Sequence, residues 1–120
     1  MSFQQAFWVF FGFSGRLNRQ AFALAGILLY GIRFYPVYRI IQAQGDEAEM
    51  TYWGGVFIFT LMILIVSHIA LAAKRLHDFD RSGWWSLMFL IGDIFAFIFF
   101  CFPPGTPGPN RYGQATNAPR

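Results

Sequence analysis

An all-α membrane fold is predicted: three transmembrane helices preceded by a short N-terminal interfacial amphipathic helix. Three observations carry that prediction. Hydrophobic residues make up 56% of the 120 positions and charged residues only 12%. Soluble domains carry roughly 25% charged residues, so about half the usual charge is missing. Sixteen Phe and four Trp are present, more aromatic volume than one water-soluble core of this size can enclose. A bilayer removes the difficulty by acting as an apolar solvent. The length corresponds to a single domain, 1–120.

The first element is aromatic. Phe3, Phe7, Phe10 and Phe11 follow i, i+4, i+7, i+8 spacing and share one helical face. The stretch 3–13 is too short to cross about 30 Å of hydrocarbon. It reads as a helix lying in the interface, with a helix packed on the rest of the protein as the plainer alternative. The first span is expected over 21–41, with Asn18 as the residue that caps its start. It is imperfect, since it holds Arg33, Pro36 and Arg39; Pro36 should kink it or end its regular part. Residues 42–51 carry Asp46, Glu47 and Glu49 and are expected to form a loop. Tyr52 and Trp53 come next, in the place of an aromatic belt.

The second span, 53–73, carries no charge and measures about 31 Å as a helix. The charged stretch KRLHDFDRSG, from Lys74 to Gly83, is expected to be a loop, with Ser82 capping the next helix. The third span is 84–102, about 28 Å long, with the single acid Asp93. Pro103 and Pro104 stop it. The tail, 103–120, is rich in Pro and Gly and should be irregular.

Basic residues collect on the cytoplasmic side of membrane proteins. Arg16 and Arg19 precede span one, and Lys74, Arg75 and Arg81 come after span two. The connection between spans one and two is acidic. The expected topology is multi-pass, with the N-terminus cytoplasmic, the acidic loop outside, the basic loop cytoplasmic and the tail periplasmic or extracellular, although that tail also carries Arg111 and Arg120.

Several chemistries find no support. The net charge of +3 is small and scattered, unlike a nucleic-acid-binding face. Cys101 is the only cysteine, so no internal disulfide forms; it reads as a small hydrophobe in an apolar run. No nucleophile elbow, phosphate loop or HExxH occurs, and neither a cofactor nor an enzymatic activity is expected. His77, Asp78 and Asp80 fall short of the roughly four ligands a zinc site needs. Arg16, Arg19, Lys74, Arg75 and Arg81 suit anionic lipid headgroups at the cytoplasmic face, worth about 1 kcal/mol per base near the surface.

Three ionisable groups within the spans stand out: Arg33, His68 and Asp93. Measured from the inner ends at about 1.5 Å per residue, Arg33 is about 18 Å deep, Asp93 about 13 Å and His68 about 8 Å. Side chains lean toward their own helix N-terminus, which brings all three together. The expectation is a polar clasp in which Asp93 accepts from Arg33 with His68 nearby. A proton- or ion-handling site is the sharper alternative.

Three segments resemble a known family: FGFSGRLNRQAF (Phe11 to Phe22), KRLHDFDRSGWW (Lys74 to Trp85) and PPGTPGPNRYG (Pro103 to Gly113). Together they are similar to the DUF805 family of small bacterial inner-membrane proteins. The resemblance implies a bacterial inner-membrane location and no particular biochemical activity. Its motif positions include Gly15, Arg16, Arg19, Arg75, Leu76, His77, Asp78, Arg81, Ser82, Gly83, Trp84 and Trp85, with Pro103, Gly105, Gly108, Asn110, Tyr112 and Gly113 in the tail. The functional expectation is a structural or interaction membrane protein, an accessory subunit of a homo-oligomer or larger complex. A small oligomeric channel or transporter using Arg33, His68 and Asp93 is the second reading.

Overall fold

The computed structural model of the chain describes residues 2–118; Met1, Pro119 and Arg120 lie outside the described residues. It is helical: α1 (Phe3–Phe11), α2 (Arg19–Gln42), α3 (Glu47–Asp78), a 3-10 helix (Gly83–Leu90) and α4 (Asp93–Cys101). Two of these, α2 and α3, are long and apolar enough to cross a membrane.

α1 starts with a capping box. Ser2 Oγ accepts from the Gln5 amide at 3.1 Å, and the Ser2 amide donates to Gln5 Oε1 at 2.9 Å. The four-Phe face divides. Phe10 packs inward with Trp8 and Val9, while Phe3, Phe7 and Phe11 stay exposed as a ladder with ring centroids 6.4 and 5.4 Å apart. α2 begins behind Asn18, whose side chain accepts from the Ala21 amide at 2.8 Å. It continues through Pro36 to Gln42 rather than ending there.

α3 is longer than the 53–73 span expected for it, and both expected loops at its ends prove partly helical. At the front, Asp46 accepts from the Glu49 amide at 3.2 Å. Glu47 and Glu49 then occupy a first turn where negative charge suits the exposed N–H groups. At the back, Lys74 to Asp78 remain helical, with Arg75 and His77 in the last turn where positive charge is favoured. The charged stretch is helical because its charges are buried against the protein instead of facing water. The connection between α2 and α3 shrinks to 43–46.

The expected third span is the larger correction. Residues 84–102 do not form one helix. The 3-10 helix measures about 16 Å and α4 about 14 Å, so neither arm crosses about 30 Å of hydrocarbon. They meet at Gly92, whose backbone leaves the helical region at φ −132°, ψ 61°, at a residue that weakens helices in any case. The chain doubles back there. Gly83 lies beside Ala73 and His77, and at the other end of the hairpin the Phe100 carbonyl accepts from Arg75 Nε at 2.9 Å. Both arms are therefore rooted at the C-terminal end of α3.

The position of the tail is a consequence of this turn. The sequence expectation puts it at the opposite end from the N-terminal segment, yet it lies at the same end. The Asn117 amide donates to the Arg16 carbonyl at 2.8 Å, and the Thr106 amide to the Asp78 carbonyl at 2.6 Å.

The buried core joins Phe22, Ala25, Leu29 and Tyr30 of α2 to Leu64, Leu71, Ala72 and Leu76 of α3 and to Ala96, Phe97 and Phe100 of α4. Phe22 meets Phe97 at 5.3 Å between ring centroids. α4 lies close to α2 because Gly26 has no side chain: a Cβ there would overlap the Phe97 ring. Gly31, by contrast, faces open space. Gly26→Leu is expected to lower the melting temperature in detergent, at a cost of about 1–3 kcal/mol for overpacking, whereas Gly31→Leu melts with the parent. Equal melting of the two variants would refute the α2–α4 contact.

Candidate functional site

Asp78, at the end of α3, is 2% exposed, and it binds two guanidiniums. Arg16 Nε donates to Asp78 Oδ1 at 3.0 Å, with Nη2 at 2.9 Å from the same oxygen. Arg75 Nη1 donates to Asp78 Oδ2 at 2.8 Å. One carboxylate against two cations leaves buried positive charge and unused N–H groups. Backbone carbonyls take them. Arg16 donates to Thr106 at 2.7 Å, Gly108 at 2.8 Å and Gly113 at 3.1 Å. Arg75 donates to Phe100, to Leu17 at 3.3 Å and to Pro103. A Pro-rich turn has more acceptors than donors, and the five N–H groups of an arginine match that surplus.

The neighbours support this knot. His77 Nδ1 is 2.9 Å from the Gly15 carbonyl, and its ring stacks on Tyr112 at 4.1 Å and 4°. Asn110 Nδ2 donates to the His77 carbonyl at 2.9 Å. Gly105 lies against the Asp78 carboxylate, where a Cβ would collide. Gly15 and Gly108 have φ of 89° and 80°, a region that glycine enters without steric cost. Lys74, fully buried, donates to the Trp8 and Val9 carbonyls at the end of α1 and sits 4.5 Å from the Trp8 ring centroid. Arg19 and Arg81 stay outside the knot. Arg19 Nη1 reaches the Phe102 carbonyl at 3.4 Å and is exposed.

A second polar cluster lies half-way along α2. Arg33 Nη2 is 2.7 Å from Asp93 Oδ2, and Tyr30 Oη donates to Asp93 Oδ1 at 2.6 Å. The structure thus brings Arg33 and Asp93 together at the tip of the hairpin, where Asp93 opens α4. The His68 ring lies 4.5 Å from the Tyr30 ring and makes no bond to Asp93. Its Nε2 and the Ser67 Oγ have no hydrogen-bond partner among the described residues. Tyr30 is not among the residues that the sequence singles out, although it stands three residues before Arg33 on the same helical face.

The comparisons with known proteins fit these segments. The profile of DUF805, a protein family of unknown function, matches residues 10–114. The chain belongs to the DUF805 family. Inner membrane protein YhaI of Escherichia coli K12 is 34% identical over 108 residues, covering 86% of this chain and 84% of that protein. Inner membrane protein YhaH of the same strain is 35% identical over 111 residues, covering 85% and 84%. No solved structure matches.

On the fold, the DUF805 motifs are three strips of chain tied at one point. Arg16 comes from the first strip, Arg75, His77 and Asp78 from the second, and Gly105, Gly108 and Asn110 from the third. Among the described residues no group of three or more His, Cys, Asp or Glu could hold a metal ion. What the arrangement does chemically is close the chain on itself. Asp78→Asn strands two buried guanidiniums, and its expected cost is about 3–5 kcal/mol, read as thermal unfolding in detergent. Asp93→Asn is expected to cost less, because Asp93 pairs with one guanidinium and Asp78 with two. The reverse ranking would move the anchoring role to the hairpin tip.

Proposed function

We propose that this chain is a structural or interaction protein of the bacterial inner membrane, with two spanning helices and a re-entrant hairpin, acting as an accessory subunit of a homo-oligomer or larger membrane complex. One observation supports the reading best. The charged groups of the motif knot, Arg16, Lys74, Arg75 and Asp78, are turned inward and bonded, while the surface offered along the helices is largely apolar. Leu24, Ile27 and Leu28 of α2 and Ile58, Phe59 and Met62 of α3 are all exposed. Such faces suit lipid or the helices of another subunit, where close packing drives association. On this reading the protein is not an enzyme.

The topology proposed differs from the sequence expectation at one end. The N-terminus is cytoplasmic, α1 lies in the interface, and the connection at 43–46 is external. Because the hairpin returns, the tail is cytoplasmic too. Arg16, Arg19, Lys74, Arg75, Arg81 and Arg111 then share one side, in agreement with the positive-inside rule.

A transport role is the second reading, favoured by the unpartnered His68 Nε2 and Ser67 Oγ beside Arg33 and Asp93. Single-cysteine labelling and flux measurements separate the two. In a Cys101→Ser background, Gln44→Cys is expected to react with an impermeant maleimide from outside intact cells. Ala115→Cys reacts only after permeabilisation. Proteoliposomes are expected to pass protons no faster than empty liposomes. External labelling of Ala115→Cys overturns the topology, and a proton flux abolished by Asp93→Asn overturns the structural role.

A further inference from the structure

The basic residues around the knot are not equivalent. Arg16, Lys74 and Arg75 are buried and bonded inside the protein. Arg111 pairs with Asp80 at 3.2 Å, and Arg19 leans on the Phe102 carbonyl. Arg81 differs. Its backbone amide donates to the Leu76 carbonyl at 2.9 Å, which holds the residue in place. Its side chain is exposed, and its guanidinium forms no hydrogen bond or ion pair among the described residues. The adjacent carboxylate, Asp80, is taken by Arg111.

Arg81 stands beside a groove of about 650 Å³ between the two arms of the hairpin. Trp85 and Met88 line it from the 3-10 helix, Phe99 and Phe100 from α4, and the turn Pro103 to Pro107 closes its base. Three of those turn residues are prolines, which have no N–H to offer. Arg81 is thus the one charged group along an otherwise mainly apolar cleft. Leu90, Ile91 and Phe95, at and beside the hairpin turn, are exposed, so the apolar end of the hairpin meets hydrocarbon if the hairpin is embedded. An unpaired cation at the rim and an apolar depth complement a molecule with an anionic head and a long acyl chain.

We propose that the hairpin groove binds one anionic phospholipid, with its phosphate at Arg81 and an acyl chain against Trp85, Met88 and Phe99. The proposal rests on the membrane-embedded reading of the hairpin. Arg81 acts as a fixed headgroup contact, whereas Arg16 and Arg75 are buried at 1% and 0% exposure and cannot reach one.

Native mass spectrometry of the purified protein, titrated with phosphatidylglycerol, tests it. The parent is expected to retain one phosphatidylglycerol and to discriminate against phosphatidylcholine. Arg81→Gln is expected to weaken retention roughly fivefold, the size of one headgroup–base contact. Met88→Trp, which fills the groove, should abolish it. Arg39→Gln, at the far end of the bundle, should retain lipid like the parent. Retention unchanged in both Arg81→Gln and Met88→Trp overturns the proposal, as does equal retention of phosphatidylcholine. Inorganic phosphate is expected not to raise the melting temperature; protection equal to that from phosphatidylglycerol would mean that an anion alone is bound and would overturn the lipid site. If Met88→Trp does not fold, Arg81→Gln decides, because that side chain makes no bond that the fold needs. The labelling pattern of Gln44→Cys and Ala115→Cys reports the topology independently, so a failed lipid site and a failed topology give different results.

Discussion

Asp78 binds two arginines from different parts of the chain, and the fold closes around that carboxylate. Burying a lone acid is costly, and burying a lone arginine no less so. The three together still carry one excess positive charge. All but one of their remaining N–H groups are met by carbonyls of Leu17, Phe100, Pro103, Thr106, Gly108 and Gly113. The tail is therefore part of the charge balance. Without it Arg16 would keep its carboxylate contact and lose its backbone acceptors. Without Arg16 the turn carbonyls of a proline-rich segment would lack donors. Each strip depends on the other two, which is how a stretch with little regular hydrogen bonding acquires one conformation.

The hairpin depends on the same knot. Two arms of eight and nine residues are too short to be stable alone. Arg75 holds the base of α4 through the carbonyls of Phe100 and Pro103, while Asp93 fastens the tip to Arg33 and Tyr30. Between those points Phe97 fills the space left by Gly26. The pair at the tip also answers a problem in α2. An arginine half-way along an apolar helix is costly in hydrocarbon unless it is paired or snorkels to the surface. The hairpin brings it a partner at that depth, so in the proposed topology a segment that does not cross supplies the counter-charge for one that does.

Much of the helical content is legible in the sequence, because apolar runs and capping residues are local signals. Asn18 and Ser82 cap the elements they are expected to start, and the segment 53–73 lies wholly within α3. The meeting of Arg33 and Asp93 is also legible, from depth along the helices. The departures from expectation have a common physical origin. Charge does not mean exposure at 74–78, and hydrophobicity does not mean a straight span at 84–102. Lys74 and Arg75 are buried because carbonyls and a carboxylate are brought to them by segments distant in sequence, a pairing that no local pattern reveals. Gly92 inside an apolar run is the available sign of the turn, but a single glycine only weakens a helix. The destination of the tail depends on that turn and is hidden with it. Tyr30 is legible only through its spacing to Arg33.

The knot also bears on where the bilayer can begin. Irregular backbone is excluded from hydrocarbon unless the protein satisfies it. The turn 103–117 is exposed along Pro104, Pro107, Gly108 and Pro109, so in the proposed topology it belongs to the aqueous or headgroup side. Lys74 lies at that level, and the uncharged run from Trp53 to Ala73 fills about 31 Å beyond it, close to one hydrocarbon thickness. In that frame a hairpin tip at the depth of Arg33 lies well inside the membrane without reaching the far side. The basic cluster then does two distinct jobs. Arg16, Lys74 and Arg75 act inward, as struts most of whose N–H groups are met by acceptors of the protein. Arg81 acts outward, toward whatever occupies the groove beside it. A positive-inside count treats these residues alike, because each resists translocation as the chain is inserted. Only the folded arrangement separates those that build the protein from the one left available to a ligand.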